Sequence, residues 1–349
     1  MSLLLTGATG LVGQLLLEHT RDRSVVAVAR QRAMLGSNVK VILGDLADPA
    51  FSLNGDLSEV TEIIHCAAAV RFDLPLADAR AINTESTGRM LDFARRLPRL
   101  NKFTHVSTVY VMGNDEGALP EGRYQASSFP NSYEQSKAEA ESLAEEASKD
   151  LPVQTVRLSS IAGNAKTGSV TKLNHVHQLL KLFSRRIFPI VPGHRDNPVD
   201  LIAEDWTVPA LWHLHEHAFV PGSTANLCAG PQASIRLGDM LAMCAEVYRC
   251  RAPEMVPLAE FERFIKRRLG PLSPLIGRLM GSLGLFLPHL GRKQIFLNYE
   301  TLTRIPAPPP LVADFLPAIV RYCASGETGE RVPVVGGQEI GLETTIRTT

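Results

Sequence analysis

The first 165 residues alternate short apolar runs with longer amphipathic stretches, and this alternation restricts the fold more than any other feature of the chain. The apolar runs lack polar alternation, so each predicts a strand that is buried on both faces. They are Ser2–Leu5, Ser24–Ala29, Lys40–Leu43, Glu62–Cys66, Lys102–Val106 and Val153–Leu158, and helical stretches lie at Leu11–Thr20, Ala77–Arg96 and Ser132–Ser148. Because parallel neighbours need crossover connections, this order predicts an α/β fold with a doubly wound parallel sheet.

A glycine-rich segment, Thr6–Gly13, follows the first predicted strand directly and opens the first helix. Its GxxGxxG spacing is one residue longer in the first gap than the GxGxxG fingerprint of Rossmann dinucleotide sites. By analogy, Gly7 permits the tight turn, Gly10 lets the backbone approach a pyrophosphate, and Gly13 lets helix and strand pack closely. The alternative is a tight turn without a ligand. The cofactor-binding residues predicted in this segment are Gly7, Thr9, Gly10, Leu11, Val12 and Gly13.

The end of the second strand bears on the choice of nicotinamide coenzyme. An acid there binds the ribose 2′-hydroxyl of NAD, whereas an arginine accommodates the 2′-phosphate of NADP. The strand ends at Arg30, with Arg32 close behind and no acid in reach, which favours NADP(H), with NAD(H) as the alternative. The less favoured alternative for Arg30 is a solvated arginine at a strand end. Asp45 and Leu46, after the third strand, are expected beside the adenine.

Tyr133 and Lys137 stand four residues apart at the head of a predicted helix, a spacing that puts both side chains on one face. A free phenol has a pKa of about 10, and a neighbouring ammonium should lower it and make the phenol a useful acid or base. A surface tyrosine and lysine on one helix is the alternative. Thr108 favours the catalytic interpretation, because it lies 25 residues before Tyr133 at the carboxyl end of a strand, where open α/β sheets bind ligands.

In order and spacing these segments resemble the extended short-chain dehydrogenase/reductase family. The resemblance rests on the glycine turn, Cys66-Ala67-Ala68-Ala69, Asn83, the Ser107-Thr108 pair and Tyr133 with Lys137, and it covers residues 1–165 well and 195–230 loosely. It implies that Tyr133 is the general acid/base, that Lys137 binds the nicotinamide ribose and tunes Tyr133, and that Thr108 hydrogen-bonds the substrate oxygen. Ser107 is the rival to Thr108 in that role.

The resemblance also implies supporting roles around the nicotinamide. Asn83 would hold the strands and a water near the site, and it joins Thr108, Tyr133 and Lys137 in the predicted catalytic set. Leu158 stands where many family members carry a proline, which leaves the local backbone path open. The further cofactor-binding residues that the resemblance implies are Ala67, Ala68, Ala69, Lys137, Leu158 and Ser160.

Three segments narrow the resemblance to one branch of that family. His65–Phe72, Val106–Val111 and Phe129–Tyr133 are similar to the thioester reductases and fatty acyl-CoA reductases of the male-sterility branch. The similarity implies hydride transfer from NADPH to an acyl thioester that arrives as a CoA ester or on a separate carrier protein. The alternatives are a ketone or hydroxysteroid-like reductase of secondary metabolism, a nucleotide-sugar epimerase, and a catalytically silent NADP-binding regulator.

The 349 residues suggest two lobes at roughly 100–200 residues per domain. We expect an NADP-binding Rossmann domain at 1–165, to which 201–230 return, a smaller, mostly helical substrate lobe at 166–200 and 231–330, and a tail at 331–349. Residues 251–293 combine an apolar stretch with eight basic and three acidic side chains. This pattern predicts a cap over a lipophilic substrate pocket, with a simple packing helix or membrane contact as alternatives.

Composition excludes several other classes of protein. Lys and Arg total 36 against 36 Asp and Glu, so the formal charge is zero, which argues against a non-specific nucleic-acid binder. The five cysteines form no CxxC pair, and His213 and His217 lack a third ligand nearby, so we predict no disulfide framework and no metal site. The chain shows no basic leader and no apolar run of about 18 residues. We therefore expect a cytoplasmic protein, and the family resemblance suggests a homodimer.

Overall fold

A seven-stranded parallel sheet forms the centre of the computed structural model, which describes residues 2–31, 35–51, 53, 57–184, 189–269 and 287–325. Its strands are β1 (Ser2–Thr6), β2 (Val25–Ala29), β3 (Val39–Leu43), β4 (Val60–His65), β5 (Lys102–Thr108), β7 (Val153–Leu158) and β12 (Thr224–Leu227). The shorter strands are β6 (Gly117–Leu119), β8 (Ser160–Gly163), β9 (Ile190–Pro192), β10 (Pro198–Val199), β11 (Leu201–Ala203), β13 (Ile235–Arg236), β14 (Glu254–Val256) and β15 (Gln294–Phe296). The predicted strands are all confirmed, with ends that shift by at most two residues.

Complete burial explains why the strands could be recognised from apolar content alone. Every residue of β2, β4 and β7 is buried, whereas β3 at the sheet edge is partly exposed. The strand order is β12-β7-β5-β4-β1-β2-β3, so the chain moves outward from β1 to β3 and then returns to place β4 beside β1. This reversal confirms the doubly wound sheet, and it opens a crevice at the carboxyl ends of β1 and β4.

Helices cover both faces of the sheet and build most of the C-terminal region. They are α1 (Leu11–His19), α2 (Leu76–Ala79), α3 (Ser86–Ala94), α4 (Ser132–Ala147), α5 (His175–Ser184), α6 (Glu204–Glu216), α7 (Gly230–Ala233), α8 (Leu237–Val247), α9 (Leu258–Leu269), α10 (Leu287–Leu290), α11 (Tyr299–Arg304) and α12 (Val312–Ser325). The stretch predicted as one helix at 77–96 is interrupted by a π-helical segment, Arg80–Glu85. A 3-10 turn, Val109–Met112, follows β5.

The C-terminal helices pack around an apolar core that extends to α4. Residues of α5, α8 and α12 share one buried cluster with Phe72 and Tyr133. The sheet therefore positions one side of Tyr133 and the helical region positions the other. No helix in the described ranges is both long and apolar enough to cross a bilayer. The apolar part of the predicted cap, 270–286, and the predicted tail, 331–349, lie outside the described residues.

Candidate active site

The glycine turn between β1 and α1 leaves no room for side chains at two of its three glycines. Gly7 has a φ of +72°, and a Cβ atom there would lie 2.7 Å from the Cys66 carbonyl carbon. A Cβ atom at Gly13 would lie 2.2 Å from the Gly7 oxygen, so Gly13 lets the helix approach the turn itself rather than the strand. At Gly10 a Cβ atom would meet only the Gly7 oxygen, at 3.1 Å, within the described part of the chain.

Gly10, which has free space where a side chain would stand, lies at the start of α1. Gly10 is the N-cap of α1, and no side chain caps the first N–H groups of that helix. Such a terminus presents free donors and the positive end of the helix dipole, which suit a phosphate. A pyrophosphate therefore fits the space that a side chain at Gly10 would fill.

The residues predicted to contact the adenosine half lie at the same edge of the sheet. Arg30 follows β2 directly and is exposed, and Asp45 is exposed just beyond β3, where its carboxylate accepts a hydrogen bond from the Ala47 N–H at 3.0 Å. Leu46 is buried. The structure thus places these three residues around one strand edge, and Arg32 lies outside the described residues.

Asn83 links the loop after β4 to helix α4. Its amide oxygen accepts a hydrogen bond from the Ala69 N–H at 2.8 Å, and its amide nitrogen donates to the Ser136 hydroxyl at 2.9 Å. The side chain is 1 % exposed and belongs to the π-helical segment, a distortion frequent at functional sites. Asn83 therefore holds the Ala67–Ala69 loop against α4. The resemblance implied instead that it would hold the strands together.

Thr108, Tyr133 and Lys137 come together at the carboxyl end of β5. Thr108 is the last residue of that strand; its hydroxyl accepts a hydrogen bond from the Tyr110 N–H at 3.3 Å and lies close enough to the Tyr133 phenol to lower the pKa of that phenol. Lys137 is 3 % exposed and donates from Nζ to the Val106 carbonyl oxygen at 2.9 Å. Ser107 is buried with no hydrogen-bond partner in the described residues, and successive strand residues face opposite sides of a sheet. The contact geometry therefore favours Thr108 over Ser107.

The protonation of Tyr133 differs from the sequence-based expectation. Burial raises the pKa of the Tyr133 phenol above its ordinary value, while the hydrogen bond from Thr108 lowers it in part. Burial also lowers the pKa of Lys137 to about 8, against the opposing influence of Glu141 and Cys66. The prediction that Lys137 lowers the pKa of Tyr133 is wrong for the protein as described: burial and Glu134 raise this pKa, and the opposing influence comes from Thr108, not from Lys137. The Tyr133 phenol is consequently protonated at neutral pH.

Leu158 replaces the expected proline without disturbing the sheet. It is the last residue of β7 and pairs with Thr108 on one side and Leu227 on the other. Ser160, two residues on, shares a hydrogen bond of 2.9 Å with the Tyr110 hydroxyl. Leu158 and Ser160 thus border the same strand edge as Thr108.

Sequence reasoning missed three side chains around Tyr133. The Phe72 ring meets the Tyr133 ring edge-on, with centroids 5.4 Å apart. His289 pairs with Glu134 through Nε2 and Oε1 at 2.8 Å, and its ring lies 4.6 Å from that of Tyr110. Glu134 at the third position of α4 carries the signature of a helix-capping residue, since the N-cap Asn131 accepts from its N–H. Nothing local in the sequence indicates His289, which comes from α10.

Comparison with known proteins assigns the chain to a family. Residues 21–211 match the male sterility protein family, more than half of the chain. The chain belongs to this family. It is 30% identical over 148 residues to fatty acyl-CoA reductase 1 of Gallus gallus, an alignment that covers 32% of this chain and 29% of that protein. The chain spans between about a third and a half of the length of the curated relatives it matches.

Two solved structures show how widely this fold of the male sterility family is shared. The terminal R domain of the myxalamid PKS-NRPS pathway superposes with a TM-score of 0.80 at 23% identity, covering 94% of this chain and 91% of that one. UDP-glucuronic acid 4-epimerase from Bacillus cereus, solved with NAD, gives a TM-score of 0.66 at 19% identity, covering 93% and 99%. These likenesses establish the Rossmann-type α/β fold.

In this male sterility family member, an apolar cavity lies next to residues that neighbour the candidate catalytic set, although Thr108, Tyr133 and Lys137 are not themselves among its lining residues. Its wall includes Tyr110, which follows Thr108 by two residues, and His289, which pairs with Glu134, and eight of the other eighteen lining residues come from α5, α8 and α12. Its polar lining residues are Tyr110, Asp200, His289, Arg292 and Gln294. Such a site, largely apolar with a few placed polar groups, is typical of a binding pocket for a lipophilic small molecule.

The histidine pair on α6 is separate from this site. The rings of His213 and His217 lie 5.2 Å apart, and within the described ranges no group of three or more His, Cys, Asp or Glu side chains is arranged to hold a metal ion. His215, between them in sequence, is buried and hydrogen-bonded to Thr104 at 2.8 Å.

Proposed function

We propose that this protein is an NADPH-dependent reductase of the extended short-chain dehydrogenase/reductase type, acting on the thioester carbonyl of a lipophilic acyl substrate. The protonated, buried Tyr133 close to Thr108 at the carboxyl end of β5, with Tyr110, two residues after Thr108, in the wall of an apolar cavity, is the observation that carries the proposal. The family assignment and the fatty acyl-CoA reductase similarity support a reductase, and the likeness to an R domain of a carrier-based pathway supports a thioester.

The described residues fit a nicotinamide dinucleotide. Gly10 and the uncapped N-terminus of α1 would hold the pyrophosphate, and Thr9, Leu11 and Val12 would line it. The exposed guanidinium of Arg30 favours the 2′-phosphate of NADP over the free hydroxyl of NAD. Asp45, Leu46, Ala67–Ala69, Leu158 and Ser160 would border the remainder. When bound, the coenzyme supplies the hydride.

Tyr133 and Thr108 would stabilise the negative charge that hydride addition creates on the carbonyl oxygen. As the carbonyl carbon gains hydride, negative charge develops on its oxygen, and two hydroxyl donors held in place stabilise that charge without reorganising. Tyr133 then transfers its proton to the oxygen, giving a hemithioacetal that collapses to an aldehyde and a free thiol. Lys137, fixed on the Val106 carbonyl, would orient the nicotinamide ribose and return a proton to Tyr133. Asn83 holds α4 and the loop in register for this step.

Three other functions would use the same fold or the same residues, and they differ in the products that they predict. A ketone reductase would use Tyr133, Lys137 and Thr108 identically but release no thiol. A nucleotide-sugar epimerase shares the fold, yet the cavity here is lined largely by apolar side chains. A silent coenzyme-binding regulator would bind NADPH without turnover. CoA and a carrier protein are both suitable thiol donors.

The deciding experiment follows NADPH oxidation and free thiol together against acyl-CoA esters, a carrier-bound acyl thioester, long-chain ketones and a steroid ketone. We expect one thiol released for each NADPH consumed in the first step with thioesters, and little consumption with ketones. NADPH oxidation with ketones alone would replace thioester reduction by ketone reduction. Coenzyme binding without any oxidation would support the regulator.

A further inference from the structure

Arg292 brings a cation into the apolar cavity. The side chain is partly buried, and burial lowers the pKa of its guanidinium. Its Nη1 donates to the Gly113 carbonyl oxygen at 3.2 Å and lies 3.5 Å from His289 Nδ1. No carboxylate among the residues that the structure describes lies within ion-pair distance of Arg292, and the more distant Glu134 and Glu116 offset only part of the effect of burial on its pKa. A guanidinium has five N–H donors, so most of its hydrogen-bonding capacity remains available.

The other polar groups of the cavity already have partners. The two carboxylate oxygens of Asp200 each accept a backbone N–H at 2.9 Å, from Ala229 and Gly230. Gln294 donates to the carbonyl oxygens of Gly113 and Asp115 at 2.9 Å. His289 pairs with Glu134, and Tyr110 with Ser160. Arg292 is therefore the lining residue that has no directly bonded carboxylate among the described residues, and an anionic ligand could supply one.

A partly desolvated cation is costly without an anion, and a carboxylate matches the planar fork of a guanidinium with two parallel hydrogen bonds. We propose that Arg292 forms a carboxylate-binding subsite in this cavity, which selects lipophilic chains that carry a carboxylate group. The surrounding Leu180, Leu241 and Phe261 side chains would take the hydrocarbon part. The proposal that these chains are substrates rests on the proposed thioester reduction. The proposal that Arg292 binds a carboxylate does not depend on turnover.

Displacement of the neutral dye Nile red from the cavity tests the subsite without catalysis. The probes are dodecanoate and dodecan-1-ol, which have equal chain length and differ in charge. We expect the wild type to bind dodecanoate at least about tenfold more tightly than the alcohol, as one charge-assisted interaction allows. In Arg292→Gln the preference should fall to within about twofold, while dodecan-1-ol binding changes little.

Two further variants keep the test decisive. Lys293→Gln removes the neighbouring exposed cation and should retain the full preference, which separates local recognition from general charge attraction. Arg292→Lys keeps the charge without the fork, and we expect an intermediate preference even if Arg292→Gln fails to fold. A wild type without preference, or an undiminished preference in both Arg292 variants, overturns the subsite. Absence of thioester turnover with the binding pattern intact would count against the proposed function alone.

Discussion

The Lys137 ammonium donates a hydrogen bond to the Val106 carbonyl oxygen at 2.9 Å, which joins α4 to β5 beneath the candidate active site. This contact holds α4 against the sheet together with the ion pair between Arg157 of β7 and Glu141 of α4 at 2.7 Å. Burial of the Lys137 ammonium disfavours its charged form and lowers the pKa of Lys137 to about 8.

Lys137 should make the protein more stable as the pH rises from about 8 to 10.5, the range between its folded pKa and its ordinary value. In that range the unfolded chain holds the proton that the folded chain releases, so stability increases with pH, in total by on the order of 3 kcal/mol. Denaturant unfolding across this range, compared with Lys137→Met, isolates the contribution. Parallel stability profiles for the two proteins would show that the lysine is not desolvated.

Gly10 and Gly13 should respond differently to an added methyl group. Gly13→Ala places a Cβ atom 2.2 Å from a backbone oxygen, and we expect a stability loss of about 1–3 kcal/mol. Gly10→Ala faces the open side of the turn, so its stability should stay within about 0.5 kcal/mol of wild type. Its NADPH affinity should nevertheless weaken at least about tenfold, as titration of NADPH fluorescence would report. Unchanged coenzyme affinity in Gly10→Ala would place the pyrophosphate elsewhere.

Arg30→Asp should shift coenzyme preference from NADPH towards NADH. The exchange removes a cation that suits the 2′-phosphate and adds an acceptor for the 2′-hydroxyl. The ratio of kcat/KM for the two coenzymes measures this shift. Arg21→Asp is a matched control, because Arg21 is also exposed but follows α1 and pairs with Glu18. If native protein used both coenzymes equally, the NADP assignment would be wrong.

Acyl chain length should govern catalytic efficiency. Each methylene buried in the apolar cavity contributes about 0.8 kcal/mol, so kcat/KM should rise about fourfold per carbon until the cavity is full. Leu180→Trp would fill part of the cavity, and the optimum should move to shorter chains. Initial rates with acyl-CoA esters of four to sixteen carbons measure both effects. An efficiency independent of length would place the acyl chain outside this cavity.

The sheet and the common helix face of Tyr133 and Lys137 could be predicted from the sequence, because both depend on local patterns. Buried parallel strands are apolar throughout, and the four-residue spacing of Tyr133 and Lys137 fixes their common helix face. Phe72 and His289 could not be predicted, since their places beside Tyr133 arise from tertiary packing. His289 in particular lies 155 residues from its partner Glu134.

The pKa of Tyr133 was mispredicted for the same reason. Charge proximity can be read from spacing, whereas burial depends on how the helical region closes over α4. The structure shows that burial dominates at both Tyr133 and Lys137. The assigned residues of the coenzyme and catalytic sets, and the division into a coenzyme domain and a substrate lobe, stay predictions.

The most direct test of the account compares wild-type and Tyr133→Phe proteins in single-turnover reduction of a long-chain acyl-CoA, with NADPH oxidation and thiol release recorded together. The phenylalanine keeps the ring packed against Phe72 and removes only the hydroxyl, so NADPH affinity should stay within about twofold. We expect the rate to fall by about 10²–10⁴-fold, the usual worth of a positioned proton donor. A rate within about threefold of wild type, at unchanged coenzyme affinity, would contradict the role of Tyr133.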